Sequence, residues 1–447
     1  MKNNVSFTEG KILSPLLRFA MPVLLALLLQ AMYGAIDLLV VGQFGSPADV
    51  SAVSTGSQIM QTITSVITGL AMGTTILLGQ KIGQKKSDEA GQVVGSSICL
   101  FTILAIIVTI VMLLMASPFS TLMHAPEEAF DKTVVYVRIC SAGSIFIVAY
   151  NVLGSIFRGL GDSKTPLIAV AIACIVNIVG DLLFVAVFNM AVAGAALATV
   201  LAQAVSVLLS VVIIKRKGMP FPFSLKSIRF HKKLIGKVTK LGFPIALQDG
   251  LVSISFLAII AIINSLGVIP SAGVGVAEKL CIFIMLVPSS YMQSMSAFVA
   301  QNIGAGRNDR AKKAMCYGMA TSLCFGVVMA YFSFFHGDIL AGIFAKDGAV
   351  ISAAADYLRA YSIDTLLVSF LFCFIGYFNG CGKTTFVMIQ GIIGAFAVRI
   401  PVSYIMSLGN NVSLFKVGLA TPISTIVQVT LCIIYFKWIN KNQKQLS

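Results

Sequence analysis

Long apolar runs broken by short polar clusters set the pattern of this chain. Apolar stretches fall at residues 15–42, 52–80, 92–117, 132–158, 166–189, 192–214, 241–266, 270–299, 314–340, 351–379, 384–407 and 416–438. Most reach the roughly 20 residues that a helix needs to cross about 30 Å of hydrocarbon. Runs such as Leu100 to Met115 are continuously apolar, whereas the strands of a membrane barrel alternate in and out. The pattern therefore predicts an all-α integral membrane protein with twelve spanning helices. The first run is too long for a cleaved signal sequence, carries Asp37 and is not followed by a small-residue cleavage site, so it is expected to stay in the mature protein.

The runs repeat at a spacing of 221 residues. Gln80, Ile82, Gly83, Asp88 and Ala90 recur as Gln301, Ile303, Gly304, Asp309 and Ala311, and Tyr136, Arg138, Phe157, Gly159 and Gly161 recur as Tyr357, Arg359, Phe378, Gly380 and Gly382. Six spans return the chain to its starting side. The two copies are therefore expected to share one orientation, as two six-helix lobes related by a pseudo-twofold axis along the membrane normal. The N-lobe is placed at 1–220 and the C-lobe at 221–447. A basic interfacial linker of about 215–240 joins them. Its Pro220 and Pro222 end the sixth helix, and the spacing of Leu225, Ile228, Leu234, Ile235 and Val238 suits an amphipathic helix on the headgroups.

Composition agrees with the membrane reading. Of 447 residues 57% are apolar and 11% charged, and the mean hydropathy is +0.94, too apolar to cover a water-exposed surface. The net charge of +15 is not a nucleic-acid footprint, because its distribution explains it. Lys81, Lys85, Lys86, Lys164, Lys215 to Lys240, Arg307, Arg310, Lys312, Lys313 and Lys383 crowd alternate connections, joined by Lys2, Lys11 and Arg18 at one terminus and Lys437, Lys441 and Lys444 at the other. The intervening connections, at Ser46 to Asp49, Pro118 to Phe130, Ser265 to Ser271 and Leu408 to Ser413, carry almost none. The positive-inside rule then predicts a multi-pass protein of the cytoplasmic membrane with both termini in the cytoplasm. The nine cysteines show no metal-ligand spacing and read as small buried hydrophobes. Glycines at Gly79 to Gly83 and Phe157 to Asp162, with their copies, read as helix ends and close approaches, and they lack the spacing of a phosphate-binding loop.

A carboxylate deep in hydrocarbon costs at least a few kcal/mol, so it normally faces a cavity or partner and marks a pathway. By the helical rise, Asp37 lies roughly 28 Å from Arg18, Asp181 roughly 25 Å from Lys164 and Thr199 roughly 24 Å from Lys215. All three share one level in the outer half of the bilayer. Asn177 stands one turn before Asp181, and Tyr33 one turn before Asp37. Two carboxylates, an amide and a hydroxyl form an oxygen-rich set suited to a hard monovalent cation or to protons. The equivalent places in the second half hold Ala258 or Ile259, Val398 and Val402. The cluster is not duplicated. The second half instead carries Asp249, Glu278 beside Lys279, Asp364 and Arg399, which are candidates to line a substrate cavity. Glu278 and Lys279 are expected to neutralise each other or to sit near a helix start.

These residues resemble the multidrug and toxic compound extrusion (MATE) family, in its DNA-damage-inducible-protein-F-like bacterial and archaeal branch. The resemblance runs through Phe19-Ala20-Met21-Pro22, Tyr33-Gly34-Ala35-Ile36-Asp37 with Val41-Gly42, the Gly79 to Gly83 helix end, Arg158-Gly159-Leu160-Gly161-Asp162, and Asn177 with Asp181. It implies two six-helix lobes around a central cavity and export of organic compounds by alternating access, driven by inward flow of sodium or protons. Carried over by position, the cation or proton site is Asp37, Asn177, Asp181 and Thr199, which would also hold Na+ if sodium is the coupling ion. Tyr33, Tyr136 and Asn151 match polar residues around the same cavity, although Asn151 is shallower, about 10 Å along the helix from Arg158.

The expected activity is secondary antiport of cationic or amphipathic small molecules, with no cofactor beyond H+ or Na+, no nucleic acid, and no partner evident besides the bilayer. A lipid-linked precursor flippase is the nearest alternative. Such a protein would line its cavity with several bases for pyrophosphate, and here the deep bases are Arg399 and Lys279. An integral-membrane enzyme is less compatible, because His124 and His231 fall outside the apolar runs and His336 stands near the end of one.

Overall fold

The computed structural model describes residues 7–224, 227–408 and 412–445; Lys2, Leu225 and the middle of the Leu408 to Ser413 connection lie outside them. Nearly all described residues are helical and none forms a strand. The first half contains α1 (Leu13–Phe44), α2 (Pro47–Gly83), α3 (Ser87–Leu122), α4 (Glu127–Ala142), α5 (Ser144–Leu160), α6 (Lys164–Asp181) and α7 (Ala191–Lys217). The second contains α8 (Lys232–Asn264), α9 (Val268–Gly304), α10 (Asn308–Phe335), the short α11 (Gly337–Gly342), α12 (Gly348–Gly380), α13 (Thr384–Ile392), α14 (Ile400–Ser407), α15 (Leu414–Gly418) and α16 (Ala420–Gln445). Two wide π-helical stretches continue these rods: Leu182–Val187 extends α6, and Ile393–Arg399 joins α13 to α14. Eleven helical segments of the described chain are long and apolar enough to cross a bilayer, and the total becomes twelve when α4 and α5 count as one bent span.

Two expectations change. The run 132–158 is not one straight helix, since α4 and α5 meet at 54° around Gly143. A side chain there would strike Val200 of α7, so the glycine combines a close helix contact with the break that bends the span. The linker forms no separate surface helix among the described residues. Residues 215–217 finish α7, and 232–240 are the first turns of α8. Between them, the carbonyls of Pro222 and Ser227 rest on Gly91 and Gly95, one turn apart on α3, where any Cβ would collide. The periodicity read as amphipathic belongs to α8, whose Val238 is fully buried and whose backbone meets α2 at Gly73.

Contacts divide the chain into two units. One consists of Leu17–Ala246 with the residues up to Gly10 and Ala300–Gly306; the other of Lys11–Leu16, Leu247–Val299 and Arg307–Ser447. Within the first unit the helix ends are set by local chemistry. The Ser46 hydroxyl accepts from the Asp49 amide while the Asp49 carboxylate accepts from the Ser46 amide at 2.8 Å, closing a capping box at α2. Gly161, at φ +79°, ends α5 in the left-handed conformation, with Asp162 N–H donating to Phe157 O at 2.9 Å. The second unit repeats this at Gly382, at φ +75°, where Lys383 N–H donates to Phe378 O at 2.8 Å.

A second pair of repeated glycines serves close approach. In the first unit, a Cβ on Gly83 would run into the carbonyl of Gln301, and one on Gly304 would run into the carbonyl of Gln80. The contact is reciprocal, since each helix end presents a glycine to the other's glutamine carbonyl. The cysteines are less uniform than expected: Cys140, Cys174, Cys281, Cys373 and Cys432 are buried, whereas Cys316 and Cys324 are exposed on α10.

Candidate functional site

In the first unit, α1, α6 and α7 bring together the four residues grouped by depth. Gly180 and Ala198 sit close enough that a Cβ on the glycine would touch the alanine. This near approach of α6 and α7 accompanies the meeting of Asp181 and Thr199 at the Asp37 carboxylate. Thr199 Oγ1 donates to Asp37 Oδ2 at 3.1 Å, and the Asp37 carboxylate also faces Asp181 and Asn177. Asp37 is 4% exposed, and Asn177 and Asp181 are 0% exposed.

The electrostatics are unusual. Two carboxylates face each other with no Lys or Arg paired to either among the described residues. Asp37 Oδ1, both oxygens of Asp181 and both polar atoms of the Asn177 amide are buried without a hydrogen-bond partner. Buried polar atoms are nearly always satisfied by protein, water or an ion. Facing carboxylates become compatible when a proton or a cation lies between them. The donor set is all oxygen, which suits H+ or a hard cation such as Na+. Among the described residues no three His, Cys, Asp or Glu side chains converge as they would for a transition metal.

Around this cluster, Tyr136 is buried in space that Gly56 leaves, for a Cβ on Gly56 would overlap its ring, and its hydroxyl lies near Thr199 and Asp37. Tyr33 lies near Asp37 and accepts from Gln203 Nε2 at 3.2 Å. Asn151 stands apart, as its shallower depth implied. Its side chain accepts from Thr68 Oγ1 at 2.8 Å and donates to Ile147 O at 2.8 Å, tying α5 to α2. Sequence reasoning missed Gln203, one turn beyond Thr199, and Gln30, two turns before Asp37, whose Nε2 donates to Tyr150 Oη at 2.5 Å. Helical spacing from the known acid and hydroxyl was the signal that would have found both.

The second unit gathers its charges differently. Asp364 is 1% exposed and accepts from Thr425 Oγ1 at 2.5 Å, with the Arg399 guanidinium in electrostatic reach. Arg399 ends the wide stretch Ile393–Arg399, donates from Nη1 to Ser255 Oγ at 3.2 Å and lies over the Phe256 ring at 4.5 Å. Glu278 is ten residues into α9 and half-buried, near Cys281 and Tyr357, while Lys279 is exposed. The expected mutual neutralisation of Glu278 and Lys279 is absent among the ion pairs of the described residues, and Glu278 does not sit at a helix start. Consecutive helical residues point about 100° apart, which separates them. Asp249 is half-buried on α8, and its backbone carbonyl accepts from Ser253.

Comparison with known proteins agrees with this architecture. The MatE family model matches the chain twice, at residues 22–183 and 244–405, one match in each half of the repeat. A protein of Bacillus subtilis named "Probable multidrug resistance protein YpnP" is 26% identical over 97% of this chain and 96% of its own length. "Multidrug export protein MepA" of Staphylococcus saprophyticus is 24% identical over 90% of this chain and 88% of its own length. A crystal structure of MATE in complex with MaL6 superposes with a TM-score of 0.93 at 20% identity, covering 100% of both chains, and shares the fold. The chain belongs to the MatE family.

Proposed function

We propose that this protein is a secondary antiporter that exports organic cationic or amphipathic compounds in exchange for H+ or Na+. The observation that carries the reading is the Asp37–Asp181 pair: two buried carboxylates facing each other, with oxygens that meet no donor. The names of the relatives, multidrug resistance and multidrug export, support the exported class. The basic side of the membrane is the cytoplasm in this reading, and both termini lie there.

Its steps follow from charge. With the cluster empty of cation, two carboxylates in low dielectric repel each other, and an organic cation is favoured in their field. Protons or Na+ arriving from outside, held by Asp37, Asn177, Asp181 and Thr199, offset the negative charge and so weaken that repulsion and the attraction for the exported cation together. Neutralisation frees α1 to rearrange about Pro22, which lies inside the helix and removes a backbone hydrogen bond there. Differential affinity of cation and compound for the two states couples their movements.

The test is transport in vesicles with imposed sodium or pH gradients and a dye cation as the exported compound. Asp181→Asn or Asp37→Asn should insert normally and lose gradient-driven export. Undiminished export by either variant would refute the reading.

A further inference from the structure

Inside the first unit the cation cluster is not isolated. Polar side chains continue from it toward the basic side at helical spacing on three helices. On α1, Gln30 and Tyr33 precede Asp37 along one face. On α7, Thr199 is followed by Gln203, Ser206 and Ser210, a stripe running about 16 Å along the axis. On α5, Tyr150 and Arg158 share a face across Gly154, where a Cβ would crowd the Arg158 guanidinium. The rows join through Gln203 to Tyr33 at 3.2 Å and Gln30 to Tyr150 at 2.5 Å. Tyr33 lies beside Tyr150, and Tyr150 within electrostatic reach of Arg158.

Packing alone does not explain this seam. Gln203 Oε1, Ser206 Oγ and Arg158 Nε are buried without partners, like the cluster itself, and Ser206 is 1% exposed. Apolar residues would be the cheaper filling for helix contacts in a bilayer, whereas unsatisfied polar atoms in a row are what water or a passing cation requires. At the end of the seam, Arg158 donates from Nη2 to Ser155 Oγ at 2.8 Å and pairs with no carboxylate among the described residues. A fixed positive charge at a narrow polar passage repels cations, as in selective membrane pores.

We propose, building on the antiport reading above, that the seam of Gln30, Tyr33, Tyr150, Gln203 and Ser206 is the route by which the coupling cation leaves the Asp37–Asp181 cluster for the cytoplasm, and that Arg158 keeps this route closed to free flow. Departure of the cation then requires a change of state that lowers the field of Arg158 on the seam. The route lies inside one unit.

Purified full-length protein in liposomes without any exported compound tests this. An entrapped pH dye and radioactive sodium, each under its own gradient, separate a proton route from a sodium route. Arg158→Gln should raise the compound-independent leak of one cation by about tenfold, the effect of a modest barrier change, while Arg158→Lys should stay as tight as the wild type. Tyr150→Phe with Ser206→Ala should slow export several-fold and leave the cation-dependent thermal shift of the protein in place. The leak of Arg158→Gln should vanish when Asp37→Asn is added. A tight Arg158→Gln that retains its cation-dependent thermal shift, or a leak that persists in the double variant, would overturn the proposal. Asp37→Asn alone separates the two readings: normal export by it defeats antiport at this cluster, whereas its loss of export beside a tight Arg158→Gln defeats only the seam.

Discussion

The acidic cluster of the first unit and the charged cluster of the second solve one problem in opposite ways. Both put carboxylate deep in a membrane helix. In the second unit Asp364 has Thr425 donating to it and Arg399 nearby, so the countercharge is part of the chain. In the first unit Asp37 and Asp181 face each other with Thr199 donating to Asp37 and no Lys or Arg paired to either among the described residues, so in the antiport reading the countercharge comes from outside. A group with a tethered partner is static; one with a mobile partner can report whether that partner is present. In the proposed antiport, this difference favours the first unit for ion coupling over the more complete-looking cluster of the second.

The comparison can be broken most directly at its acidic end. Asp181→Asn should reduce gradient-driven export to background with normal membrane yield, and Asp364→Asn should leave a substantial part of it; equal losses measured in vesicles would erase the distinction. Arg399→Gln should come next. Removing a buried countercharge typically costs about 3–5 kcal/mol, read as a lower melting temperature in detergent, and adding Asp364→Asn should recover much of it. Thr199→Ala removes a hydrogen bond to a charged group, worth about 1.5–3 kcal/mol, and should raise the half-saturating cation concentration roughly tenfold or more. The smallest effects belong to the shared scaffold. Gly161→Ala and Gly382→Ala force a left-handed backbone on a residue with a Cβ, at about 1–2 kcal/mol each, and should lower stability equally in the two halves without changing cation dependence.

Much of this contrast was legible in the sequence because it rests on local quantities. Depth is a count of residues along a rod, so Asp37, Asp181 and Thr199 could be placed at one level before any packing was known, and the 221-residue comparison showed that Val398 and Val402 stand where Asn177 and Asp181 do. What escaped depends on rotation and on contacts far apart in sequence. Arg399 lies 35 residues from Asp364 and reaches its neighbourhood only after the wide turn Ile393–Arg399 has reset the helix phase. The adjacent pair Glu278 and Lys279 suggested an ion pair by proximity in the chain, and the helix turned them apart. The bend at Gly143 was hidden because an apolar run has no mark for a kink other than one glycine among many. Gln30 and Gln203 carry no distinguishing sequence mark beyond their spacing, and the Tyr150 and Tyr33 hydroxyls that accept from them lie on other helices.

The crossing at Gly83 and Gly304 has a consequence for the symmetry of the chain. Because Gly83 packs on the Gln301 carbonyl and Gly304 on the Gln80 carbonyl, the contact is self-complementary, with residue i meeting j and j meeting i. That is the geometry of an isologous interface in a symmetric dimer. Held within one chain, such a contact does not require its two copies to be identical, and here one half carries an acidic cluster that the other lacks.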